Sequence, residues 1–74
     1  MIDAVYIFTN GMVGVFNEKG QQIPELQKEG WDKSKEAILA NSTVHTKFFF
    51  ADWGKEKISL SIDQASRISM EVIK

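Results

Sequence analysis

Two β-rich runs, Val5-Tyr6-Ile7-Phe8 and Met12-Val13-Gly14-Val15-Phe16, flank Asn10-Gly11, and no other stretch of the chain restricts its fold as tightly. Asn-Gly supplies the positive φ angles of a type I′ turn, so the pattern predicts a β-hairpin. With those two residues as the loop, Thr9 pairs with Met12, Phe8 with Val13, Tyr6 with Val15 and Val5 with Phe16. Strand alternation then puts Tyr6, Phe8, Val13 and Val15 on one face. Val5, Ile7, Met12 and Phe16 take the other, with Gly14 leaving space opposite Ile7. Both faces are apolar. An antiparallel hairpin ordinarily turns one polar face to water, so a second layer is expected over each side of this one.

Downstream, Asn17-Glu18-Lys19-Gly20 reads as a turn. Gln21 to Leu26 reads as an extended edge segment or ordered loop, because Pro24 cannot serve a central strand. After Lys28-Glu29-Gly30 the pattern predicts one helix, about Asp32 to Ala40, with Asp32 or Ser34 as N-cap and Asn41 near its end. Trp31 and Ile38 lie seven apart and Leu39 widens the stripe, enough to pack one face on a sheet. Lys47 to Trp53 and Lys57 to Ile62 predict a second hairpin around Gly54-Lys55-Glu56. In its second strand Ile58, Leu60 and Ile62 alternate with Lys57, Ser59 and Ser61, giving an edge strand with one buried face. Asp63-Gln64-Ala65-Ser66 suits a short helical or 3₁₀ turn; beyond it Ile68, Met70 and Val72 alternate with Arg67, Ser69 and Glu71 as a strand would, while Ala65, Ile68 and Val72 also fit a helical stripe, and a turn followed by a strand is the reading preferred.

The fold class expected is therefore α+β: a small antiparallel sheet of two hairpins, with a possible C-terminal strand, packed on one short helix. Residues 1–74 form a single domain. A domain of this size buries only about 60% of the surface its unfolded chain exposes, and the sequence has no cysteine to staple it. Oligomerisation is the remaining common aid, and a homodimer is expected.

The chemistry on offer is sparse. His45 is the only histidine, and it is read as a polar residue of the loop entering a strand. No metal site follows from one histidine and no cysteine. The ten acidic residues are spread along the chain in the manner of solvating charge, and no acid/base pair can be nominated among them. Gly11 and Gly14 do not make a phosphate-binding loop. No enzyme activity and no cofactor is expected. Nine basic against ten acidic residues, with neither in a block, speak against nucleic acid as the partner. No apolar run approaches the roughly 20 residues of a membrane span, and the N-terminus lacks the basic start of a signal peptide. A cytoplasmic location is expected.

Eight aromatic residues remain to be placed. Neighbouring strand residues point to opposite faces, so within Phe48-Phe49-Phe50 the central ring cannot enter the core that takes its neighbours. An aromatic exposed on a sheet is raw material for a binding hot spot or a dimer interface.

Phe50-Ala51-Asp52-Trp53-Gly54-Lys55-Glu56-Lys57-Ile58-Ser59-Leu60, leading to Ile62 and Arg67, resembles the strand–turn–strand–3₁₀ passage of Tudor and other SH3-like barrels, which implies a curled small sheet. Asn10-Gly11-Met12-Val13-Gly14-Val15-Phe16-Asn17-Glu18-Lys19-Gly20-Gln21-Gln22-Ile23-Pro24-Glu25-Leu26-Gln27, followed by a helix and a Trp-containing hairpin, resembles small uncharacterised proteins encoded by tailed phages and prophages. That resemblance implies an accessory protein acting in the host cytoplasm by occupying a host surface.

The expected function is thus non-catalytic protein–protein binding, with inhibition of a host enzyme or defence complex by occlusion as its form. Tyr6, Phe8, Val13, Val15, Phe49, Asp52, Trp53 and Glu56 are the expected contacts. The alternative is a small-molecule or nucleotide sponge with its pocket at a dimer junction, between aromatics such as Trp31 and Trp53. A nucleic-acid role ranks third.

Overall fold

The computed structural model describes residues 1–51 and 57–68. Strands β1 (Ile2–Phe8) and β2 (Val13–Asn17) form the first hairpin. Helices α1 (Pro24–Gln27) and α2 (Trp31–Ala40) follow. Strands β3 (Lys47–Ala51) and β4 (Lys57–Leu60) come next, and α3 (Ile62–Ser66) closes the described chain. The strands lie in the order β2-β1-β3-β4. The two hairpin pairs are antiparallel, but the central pair β1–β3 is parallel. The α+β class holds; the sheet is mixed rather than antiparallel, and three short helices accompany it rather than one. The expected strand around Met70 and Val72 lies outside the described residues.

The first hairpin forms in a different register from the one Asn10-Gly11 predicts. Gly11 N–H donates to the Phe8 carbonyl at 2.9 Å and Phe8 N–H to the Met12 carbonyl at 2.9 Å. The loop therefore has three residues, Thr9-Asn10-Gly11, and only Gly11 takes a positive φ, +90°. The Asn10 side chain accepts from Met12 N–H at 3.0 Å. One extra loop residue moves the pairing by one: Val5 meets Val15, Tyr6 meets Gly14 and Ile7 meets Val13. Because side chains alternate with a period of two, that slip exchanges the faces of the whole second strand. Val13 and Val15, expected beside Tyr6 and Phe8, instead join Val5 and Ile7 in the core. Phe16 moves the other way, to the face of Tyr6.

That core is one-sided. Val5, Ile7, Val13, Val15 and Phe48 from the sheet pack with Trp31 and Ile38 of α2 and Ala65 of α3. Ile2 joins them because the ladder shifts between Ile2 and Ala4, a bulge that returns the first residue of β1 to the buried side. On α2, Trp31 and Ile38 are buried seven apart and Leu39 packs beside them, as the sequence predicts, and Ser34, expected as a cap, is buried between them.

Four local expectations change. Gln21 to Leu26 is not wholly extended: Pro24 opens α1, where its missing N–H costs nothing. The start of α2 is capped by neither Asp32 nor Ser34. Gly30 stands at the cap, and Trp31 N–H reaches the Gly11 carbonyl in the hairpin loop at 2.9 Å. Ile58 is 62% exposed, since β4 is the last strand and only its Leu60 end packs on the core. Ile62 begins α3 rather than ending β4; Ser61 and Gln64 form a capping box there.

The free side of β2 is closed by the chain that follows it. Ile23 N–H donates to the Val15 carbonyl at 2.8 Å, and Val15 N–H donates to Gln27 Oε1 at 2.9 Å. At Val15 the backbone of this edge is thereby occupied rather than free to pair with an added strand.

Candidate functional site

With all three helices contributing to the buried side of the sheet, the opposite side is the one that can act. Along each strand, alternation gives that outer face Ala4, Tyr6 and Phe8 from β1, Gly14 and Phe16 from β2, Phe49 and Ala51 from β3, and Lys57 from β4, as the registers require. Phe48 is fully buried and Phe49 is only half-buried, so the aromatic triplet splits between the faces as the sequence predicts.

Three rings and one cation cross the sheet in a row. Phe16 meets Tyr6 at 85° with centroids 5.5 Å apart. Tyr6 and Phe49, neighbours in the parallel ladder, are stacked 5.0 Å apart at 17°. Near-parallel rings at that separation must overlap, because side-by-side rings would clash; each therefore covers part of the other's face. Lys57 reaches over β3 to complete the row, its Nζ lying 4.9 Å from the Tyr6 centroid and 5.5 Å from that of Phe49. A lysine so placed is attracted by the negative ring faces.

Gly14 makes room for this row. A Cβ at its position would stand 3.3 Å from Phe16 Cε1 and 3.8 Å from Tyr6 Cβ. Tyr6, Phe16 and Lys57 of this row line a groove of about 670 Å³, with Phe8, Met12 and Ala51 contributing apolar wall. Asp3, Asn17, Gln22 and Gln27 add polar groups to its lining.

No family model, curated protein or solved structure matches this chain. What the site can do has to be read from its own chemistry.

Of the expected contacts, the structure brings Tyr6, Phe8 and Phe49 together on the outer face and removes Val13 and Val15 from it. Asp52, Trp53 and Glu56 lie outside the described residues. Trp31, expected to flank a ligand, is fully buried in the core. Sequence reasoning missed Phe16, Gly14 and Lys57 as site residues. The first two follow from the correct register, and Lys57 from pairing with Ala51 across the second hairpin. His45 is exposed, as expected for a loop residue. Among the described residues no three His, Asp or Glu side chains converge on a point, and no helix is long and apolar enough to cross a membrane.

Proposed function

We propose that this protein is a non-catalytic binding module that takes a segment of another protein into the groove on the outer face of its sheet. The observation that carries this reading is the row Phe16–Tyr6–Phe49–Lys57, set on the side of the sheet away from the helices. Aromatic side chains with a cation among them, clustered on one half-exposed face, have the composition of an interface hot spot. Occlusion of a partner's surface needs shape and chemistry of this kind and no reacting group. The likeness of Asn10 to Gln27 to small phage-encoded proteins supports a host enzyme or defence complex as the partner.

A second reading rests on the size of the groove. Its roughly 670 Å³ falls inside the range of about 300–1,000 Å³ common to small-molecule sites. A planar ligand would then sit within one chain, not between two subunits.

Native mass spectrometry of the protein purified from its natural host separates these readings. A complex with a host protein that is lost in Tyr6→Ala and Phe49→Ala, and kept in Glu36→Ala on the exposed side of α2, supports protein binding through this face. A small adduct sensitive to the same two substitutions favours the ligand reading, and a homodimer sensitive to them makes the chain its own partner. A complex indifferent to both substitutions overturns the assignment of the face.

A further inference from the structure

The groove is chemically lopsided in a way that selects what enters it. Among the described residues the Lys57 ammonium makes no ion pair; the one ion pair found there joins the N-terminus to Glu18. Its recorded contacts are the two ring systems. The Tyr6 hydroxyl likewise has no hydrogen-bonding partner among the described residues. The groove thus holds a cation and a phenolic donor that find no polar partner among the described residues. Both call for an acceptor carrying negative charge. Beside them, Phe8, Met12 and Phe16 offer apolar surface.

From this charge pattern we infer that the occupant of the groove is an extended acidic segment of a partner protein, which places a Glu or Asp carboxylate at Lys57 and Tyr6 and an adjacent apolar side chain on Phe8, Met12 and Phe16. The inference rests on the outer face being the binding surface. A nucleic-acid strand fits the same face less well. Base stacking uses open ring faces beside a basic track, whereas here the rings of Tyr6 and Phe49 partly cover each other, and Asp3 also lines the groove.

The test is an NMR titration of the full-length, ¹⁵N-labelled protein with the capped pentapeptide Gly-Leu-Glu-Leu-Gly, its Gln counterpart, and a thymidine dodecamer. The Glu peptide is expected to perturb the amides of Tyr6, Gly14, Phe16, Phe49 and Lys57. A charge-assisted hydrogen bond exceeds a neutral one by about 1 kcal/mol, so the Gln peptide should bind roughly fivefold more weakly or worse. Lys57→Gln should weaken the Glu peptide to the same degree, and Lys57→Arg should largely restore it. Equal binding of the Glu and Gln peptides at these residues overturns the carboxylate inference and leaves the surface assignment standing. Perturbations confined to other residues overturn both. Stronger binding of the thymidine dodecamer at the same amides, or no response to the Glu peptide, also overturns the inference.

Discussion

Tyr6 stands across the β1–β2 ladder from Gly14. The one residue on β2 without a side chain thus lies opposite the ring at the centre of the outer face, and Phe16 folds into the space that Gly14 leaves. Had the hairpin closed one residue tighter, Tyr6 would face Val15 and the ring row would be broken between its first and second members. The length of a turn therefore decides the composition of the site.

Gly14 is accordingly a position where binding and stability separate. Its φ is not left-handed, so a side chain is tolerated by the backbone, and a β-branched residue gains up to about 1 kcal/mol in a strand. Gly14→Val is expected to keep the urea midpoint close to that of the wild type. Its side chain would displace the Phe16 ring, which stands 3.3 Å from the new Cβ, and fill the groove. Peptide binding followed by NMR should be lost while the fold persists; tight binding by a folded Gly14→Val would show that the groove is not the site.

Gly30 and Gly20 have nearly the same φ, +81° and +78°, in different surroundings. A Cβ at Gly20 meets nothing within 4 Å, whereas one at Gly30 stands 3.0 Å from the Gly11 carbonyl oxygen. That oxygen accepts the Trp31 N–H that starts α2. Gly20→Ala should cost only the left-handed penalty of about 1–2 kcal/mol. Gly30→Ala should cost on the order of 2–4 kcal/mol, because the helix start must move away from the hairpin loop. Urea denaturation of the two variants side by side checks the difference.

The Ile68 carbonyl accepts from Trp31 Nε1 at 3.1 Å and from Lys35 Nζ at 2.9 Å. Either donor alone keeps it satisfied. Trp31→Phe is expected to cost about 1–3 kcal/mol, mostly in lost packing. Lys35→Met should cost less, and the double variant more than the sum by about 0.5–2 kcal/mol, since only then is the carbonyl left without a partner. A double-mutant cycle in urea measures the excess, and strict additivity would contradict the shared-acceptor account.

The Glu18 carboxyl is held below its ordinary value of 4.5, first by hydrogen bonding to its own backbone and then by the charge of the N-terminus, whose nitrogen lies 3.7 Å away. A carboxylate with a depressed pKa in the folded protein adds stability above its unfolded value, and that contribution fades as pH falls through the folded one. Glu18→Gln should therefore match the wild type at low pH, begin to trail it as pH rises through the lowered folded value, and show the full gap above about pH 4.5. Both partners are more than half exposed, so the gap is expected to be small and to shrink with added salt.

Local pattern alone determined a good deal about this protein. The hairpin runs around Asn10-Gly11, the helical stripe of Trp31, Ile38 and Leu39, the turn at Asn17–Gly20 and the outward Phe49 all follow from periodicities of two or 3.6 and from turn chemistry, which act over a few residues. Tertiary structure decided the rest. The hairpin register turned on whether Thr9 belongs to the strand or the loop, a choice settled when Val13 and Val15 found Trp31 and Ile38 to pack against and Gly11 found the first amide of α2. The parallel pairing of β1 with β3 joins residues more than forty positions apart, beyond the reach of any local signal. Since the stacking of Tyr6 on Phe49 and the reach of Lys57 over both depend on that pairing, the candidate site exists only once the sheet is assembled.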